Sequence, residues 1–142
     1  MTADAAALAG AARAALRRAF TLPEAETEFL NATHPDWETL IDGATPWLIL
    51  ANFPIPSGYS HQRVQAAIQI SSGFPNSALD MVYFLPGLTR ADARPITGLA
   101  SQLINGQTWQ RWSRHYGWRP GVDDLVTHIE RIKSWLVDEL TR

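Results

Sequence analysis

Chemistry is concentrated in one short run, Trp109-Gln110-Arg111-Trp112-Ser113-Arg114-His115-Tyr116-Gly117-Trp118-Arg119-Pro120-Gly121. Half of the chain's six tryptophans stand here, beside a hydroxyl, an imidazole and three guanidinium groups. Ser113 and His115 are two residues apart. On extended chain their side chains project to the same side, with Cα atoms roughly 6.5 Å apart. Serine is a poor nucleophile until a neighbour takes its proton, and His115 is placed to be that base. Arg111 and Arg114 can hold a carboxylate or stabilise an oxyanion. The competing reading is local: Ser113 and His115 cap the following turn and satisfy backbone donors.

The rest of the chain offers fewer candidates. His34 precedes Pro35 and ends a helix, His61 lies in a loop after Gly58-Tyr59, and His128 falls on the less apolar side of the last helix. No pair of histidines has the i, i+4 spacing of a helical metal site, and no cysteine is present. Disulfides, thiolate metal sites and thiol catalysis are therefore excluded. Asp80 is an acid inside an apolar strand and is read as solvent-facing. There is no G-x-S-x-G elbow, phosphate loop or dinucleotide fingerprint.

Composition bounds the rest. With 142 residues, 46% hydrophobic and 18% charged, one folded domain is expected. Net charge is −2 and the pI about 6.0, so no basic field exists to attract nucleic acid or anionic lipid. No apolar run approaches the length of a membrane span, and Met1–Phe20 lacks the order of a secretory signal. A soluble cytoplasmic protein is expected.

The elements that must position the aromatic run read as follows. Residues 3–20 are Ala-rich, with Leu8, Ala12, Leu16 and Phe20 forming an apolar stripe, and predict a helix that packs on the domain or docks on a partner. Residues 1–20 are thus set apart from a domain spanning 21–142. Thr21-Leu22-Pro23-Glu24 reads as a capping box opening a short helix over 22–31, with Phe29 and Leu30 buried. Strands are expected over 47–53, 63–71 and 79–85, as an antiparallel meander with one face polar or helix-covered. Asn105-Gly106, between 100–104 and 107–113, is a hairpin signal. In its second arm Trp109, Arg111 and Ser113 share one face and Thr108 and Trp112 the other. Residues 122–140 form a last amphipathic helix, with Asp123 and Asp124 in its positive first turn. The class is α+β.

These motifs resemble a known family. Gly73-Phe74-Pro75-Asn76-Ser77-Ala78-Leu79-Asp80-Met81 is similar to the Tyr-Pro-x-x-Pro-Pro turn of ubiquitin-conjugating enzymes. Trp118-Arg119-Pro120-Gly121 is similar to their Trp-Ser-Pro segment. Trp112-Ser113-Arg114-His115, followed by Trp118-Arg119-Pro120-Gly121-Val122-Asp123, resembles prokaryotic family E of that superfamily, over roughly residues 22–140. The resemblance implies a UBC-like fold: an antiparallel meander with an N-terminal helix, an extra hairpin and a C-terminal helix packed on it. It also implies a bacterial operon with a ubiquitin-like protein, an activating enzyme and a peptidase, and a role in phage defence. ATP would be used by the activating enzyme, and this chain would need no cofactor.

The chain departs from ordinary conjugating enzymes in two ways. It has no cysteine for a thioester, and it lacks their His-Pro-Asn motif, of which Ile104-Asn105-Gly106 is a faint echo. Two readings follow. In one, the ubiquitin-like C-terminus passes as an oxyester to a target amine. Ser113 is the first-choice nucleophile, and Thr108, two residues after Gly106, the second. His115 then activates Ser113 or the amine, Arg111 and Arg114 contact the tail or its carbonyl oxygen, and Trp112, Trp118 and Arg119 contact partners. In the other, the domain is an inactive variant that binds the ubiquitin-like protein or the activating enzyme as a scaffold.

Overall fold

The computed structural model describes residues 16–142. Its elements are α1 (Glu24–Thr33), β1 (Glu38–Asp42), β2 (Thr45–Pro54), β3 (Arg63–Gln69), β4 (Val82–Leu85), β5 (Leu99–Ile104), β6 (Gln107–Trp112) and α2 (Leu125–Glu139). All six strands join one sheet in the order β1-β2-β3-β4-β6-β5, with every neighbouring pair antiparallel. The fold is α+β, as expected for a UBC-like domain. The hairpin is not an appendage, because β6 pairs with β4 and lies between β4 and the edge strand β5, so both arms belong to the main sheet.

Local chemistry explains most element boundaries. Asn105 and Gly106 take φ of +50° and +81°, so β5 turns back into β6 within two residues. Asp124 caps α2 through the Thr127 amide, and the Thr127 hydroxyl accepts from the Asp124 amide in return. Asp123 is not part of that cap and turns to Arg119 instead. The capping box expected at Thr21 is absent: α1 starts after Pro23, which makes no side-chain cap, and runs 24–33 rather than 22–31. The strand expected over 79–85 begins only at Val82, because Met81 adopts φ +58° and breaks the extended run. β1 was not foreseen at all. It pairs with β2 through the two-residue loop Gly43-Ala44, with Gly43 at φ +64°.

The helix expected over 3–20 lies largely outside the described residues, and its last part is not helical. Arg18 bridges Thr39 in parallel, with Thr39 N–H donating to the Arg17 carbonyl and Ala19 N–H to the Thr39 carbonyl. The Arg17 guanidinium pairs with Glu38 at 3.0 Å, and that of Arg18 lies 3.6 Å from the Trp37 ring centre. In Leu16-Arg17-Arg18-Ala19-Phe20 the helical expectation loses to edge pairing, a salt bridge and a cation–π contact.

Two apolar clusters fill the domain. The larger packs α1 and α2 onto one face of the sheet and holds Leu30, Leu48, Leu50, Phe53, Ile68, Phe84, Trp112, Leu125, Ile129 and Ile132. The second holds Leu40, Trp47, Ile49, Ala67, Tyr83, Ile104 and Trp109 on the opposite face. That face was expected to be polar or covered by a helix. It is buried by curvature: Asn105 N–H, at the β5–β6 turn, donates to the Asp42 carboxylate at the end of β1, 2.9 Å away. One corner of the β5–β6 hairpin thus meets the end of β1 beside the second cluster, where Trp47 and Tyr83 pack edge to face at 4.9 Å. Among the described residues, no helix is long and apolar enough to cross a membrane.

Trp112 is fully buried, 5.6 Å from Phe84 in an edge-to-face pair. Trp112→Ala is expected to cost about 3–5 kcal/mol in urea unfolding, the range for a large core aromatic.

Candidate active site

Strand alternation along β6 divides the aromatic run. Thr108, Gln110 and Trp112 face the helices, while Trp109, Arg111 and Ser113 face the second cluster. Trp112 is therefore a core residue. Its indole N–H donates to Gln110 Oε1 at 2.9 Å, and Gln110 in turn holds both main-chain groups of Leu88. A surface contact between Trp112 and a partner is ruled out by its burial. Thr108 is exposed, beside a hollow of about 440 Å³ bordered by Leu99, Ser101 and Gln110. Five residues of extended strand, about 16 Å, separate Thr108 from Ser113.

Ser113 extends the β6 ladder by one residue. Its N–H donates to the Gly98 carbonyl at 2.9 Å, and its carbonyl accepts from Arg114 Nη1 at 3.0 Å. The half-buried side chain makes no hydrogen bond among the described residues. The chain then leaves the sheet, and Ser113 and His115 share no hydrogen bond. His115 turns to the loop before β4, where its Nδ1 meets Asp80 Oδ2 at 2.8 Å. Asp80 was read as an ordinary exposed acid; it is half-exposed and holds an exposed histidine. A carboxylate on Nδ1 leaves Nε2 directed elsewhere and able to take a proton. Asp80 also borders a cavity of about 220 Å³ lined by Gln69, Ser71 and Tyr83.

The three arginines have different fates. Arg114 turns inward to Glu139 at 2.7 Å, donates to the Thr97 carbonyl and lies over Trp112. Glu139 is itself buried and also faces Arg90 at 3.7 Å. Arg114 is thus committed to holding the segment on the domain and is not free to contact a tail. Arg119 donates to both oxygens of Asp123, and this pairing holds that carboxyl below its ordinary range. Arg111 has no ion pair among the described residues, and its buried Nε has no hydrogen-bond partner. It stands opposite Tyr83 in the β4–β6 register. Burial pushes the Tyr83 phenol up, against the opposing pull of Arg111.

Trp118 and His128 brace this site from behind. The Trp118 indole donates to the Pro75 carbonyl at 3.1 Å and packs on Phe74 and Tyr116. His128 was placed on the less apolar side of the last helix, yet it is fully buried. The Met81 carbonyl can only accept, so His128 Nε2 carries the proton and donates to it at 3.0 Å. Nδ1 then accepts from the Tyr116 hydroxyl at 2.8 Å. One imidazole so ties the neighbour of Asp80 to the neighbour of His115. Nothing in the sequence marked it, because its partners lie 12 and 47 residues away.

The family model of prokaryotic E2 family E matches residues 22–139. The chain belongs to prokaryotic E2 family E. The match starts just before α1 and stops at the last residue of α2, so it covers all eight elements and every site residue described above. Membership makes this an E2-type domain of the ubiquitin-conjugating class, although the chain carries no cysteine. No curated protein and no solved structure matches it.

Burial lowers the His128 pKa from 6.5 to about 4, with the Met81 carbonyl opposing. Below pH 6.5 the unfolded chain binds a proton here that the folded chain does not, so stability falls as the pH drops towards 4. The shift is worth about 3 kcal/mol. Urea midpoints are expected to fall over that window in the native chain, and His128→Gln to flatten the dependence while lowering stability at pH 7.

Proposed function

We propose that this domain carries the C-terminus of a ubiquitin-like protein as an ester on Ser113 and transfers it to an amine of a target protein. The observation that carries this reading is the Asp80–His115 pair, which orients a histidine at the end of β6 two residues beyond a half-buried serine that makes no hydrogen bond. The Ser113 hydroxyl attacks the tail carbonyl presented by an activating enzyme. Its proton goes to His115 Nε2, directly or through water, and the activating enzyme's group leaves with the electron pair of the broken bond. A target amine then attacks the ester carbonyl, the C–N bond forms and the C–O bond to Ser113 breaks. The amine proton returns to the serine oxygen by way of His115.

Esters react more slowly with amines than thioesters do, so the site must supply the difference by charge stabilisation. Arg111 is the cation placed to do so, since Arg114 and Arg119 are neutralised by Glu139 and Asp123. Gln69, Ser71 and Asp80, around the adjoining cavity, offer acceptors to an incoming ammonium. ATP is consumed by the activating enzyme, in a bacterial pathway of the kind that the family serves. Lys133 is the chain's single lysine, which limits self-modification of a loaded carrier.

A second reading, a domain that docks the ubiquitin-like protein or activating enzyme without bonding to it, is favoured by one observation: His115 engages Asp80 and makes no hydrogen bond to Ser113. Intact mass separates the two. The chain is mixed with ATP and with an activating enzyme and a ubiquitin-like protein of a bacterial conjugation pathway. The expected product is a one-to-one adduct that resists thiols and is cleaved by hydroxylamine. Ser113→Ala abolishes it and Thr108→Ala spares it. His115→Ala and Asp80→Asn slow its formation, the former by roughly 10²–10⁴-fold. A stable complex without any covalent species would favour the docking reading.

A further inference from the structure

The two edges of the sheet are treated differently. The β1 edge is covered by residues 17–19 and guarded by the Arg17–Glu38 pair. The β5 edge, Leu99-Ala100-Ser101-Gln102-Leu103-Ile104, contains no charge and no proline. Leu103 is 62% exposed and Leu99 39%. Ser113 N–H bonds to the Gly98 carbonyl, so by antiparallel alternation the main-chain groups of residues 100, 102 and 104 face β6. Those of Leu99, Ser101 and Leu103 point out of the sheet. Among the described residues, the contact to them is the Gln102 side-chain amide on the Leu103 carbonyl, at 3.2 Å. Long apolar edges of this kind are ordinarily blunted by charge, proline or a covering segment.

We infer that the β5 edge is the docking site for the extended C-terminal tail of the ubiquitin-like protein, which adds as a seventh, antiparallel strand. This rests on the acyl-transfer reading, because that reading puts the end of the tail at Ser113. Strand polarity supplies the argument. β5 begins beside Ser113 and runs away from it, since Leu99 is the register partner of Trp112 and Ile104 that of Gln107. A strand added antiparallel to β5, like every other pair in this sheet, ends at the Ser113 end with its carboxyl terminus leading. Two strand spacings, about 10 Å, then separate the added strand from β6, and three extended residues at about 3.3 Å each span them. The extended run of β5 stops at Gly98, at φ +72°, which is where the tail must bend inward.

The chemistry of the occupant follows from the ground beside the edge. Two hollows of about 440 and 520 Å³ lie there, both bordered by Leu99 and Gln110, the larger also by Leu88, Pro95 and Ile96. Main-chain bonds give such a complex its affinity, and hollows for alternate side chains give it specificity. The tail is therefore expected to carry apolar residues at alternate positions, followed by a slim terminus of about three residues.

Ser101→Pro is the test. The Ser101 N–H is outside the β5–β6 ladder, so proline spares the fold while removing a donor and obstructing a new strand. The probe is a ubiquitin-like protein of a bacterial conjugation pathway, intact and without its last six residues. Hydrogen exchange on the full chain is expected to show the Leu99, Ser101 and Leu103 amides protected at least tenfold by the intact probe and not by the truncated one. Ser101→Pro is expected to weaken binding and slow adduct formation at least tenfold, with unfolding unchanged. Wild-type binding and adduct formation in Ser101→Pro would overturn the docking site and leave acyl transfer standing. Protection at β5 with no adduct would overturn acyl transfer and leave the docking site. Protection of these amides in the chain alone would overturn it too, with sedimentation assigning the cover to a second copy or to residues 1–15.

Discussion

The pairing of β4 with β6 is the constraint on which the site depends. Val82 opposite Trp112 and Tyr83 opposite Arg111 bring together segments about thirty residues apart in the chain. Because of this register, Asp80 arrives beside His115 and Tyr83 beside Arg111. It also makes the β5–β6 hairpin part of the main sheet, so that the hairpin turn reaches the end of β1 through Asn105 and Asp42. Core and site therefore share one cause. Trp112 anchors β6 under the helices, and the residues after it are delivered to a fixed place.

Charge is distributed so that, among the described residues, Arg111 has no ion pair while Arg114 and Arg119 do. Glu139 draws Arg114 and Arg90 into the interior at the end of α2, and Asp123 takes Arg119 at its beginning. Arg114 also donates to the Ser113 and Thr97 carbonyls, which fixes the main chain on both sides of the open end of the β5–β6 hairpin. The segment that follows β6 has no secondary structure of its own. It is held instead by this ion network, by the His128 imidazole between Met81 and Tyr116, and by the Trp118 indole on Pro75. Such bracing suits the proposed acyl-transfer site, whose residues have no rigid strand beneath them.

Much of the scaffold was legible in the sequence because its signals are local. Asn105-Gly106 specified its hairpin, the periodicity of 122–140 specified α2 within three residues, and alternation placed Arg111 and Ser113 on one face and Trp112 on the other. The failures are those of short or long-range signals. β1 is five residues long, and its turn was announced only by Asp42-Gly43. The shortening of β4 followed from a positive φ at Met81, which a methionine does not advertise. Residues 16–20, at the end of the Ala-rich run, look helical until an edge strand is available to pair with. The roles of the arginines and of His128 could not be read locally, because Glu139 lies 25 residues from Arg114 and Met81 lies 47 from His128. The Asp80–His115 pair, separated by 35 residues, belongs to the same class.

An alcohol oxygen at the end of β6 is assigned the work that sulfur performs in thioester-forming conjugating enzymes, with Asp80–His115 moving the proton and Arg111 facing the developing charge. Proteolysis of the product formed with ATP, activating enzyme and ubiquitin-like protein, followed by fragment mass mapping, tests this most directly. The account predicts the tail residue on the oxygen of Ser113. Finding it instead on Thr108, or as an amide on Lys133 or the amino terminus with Ser113 unmodified, would contradict it.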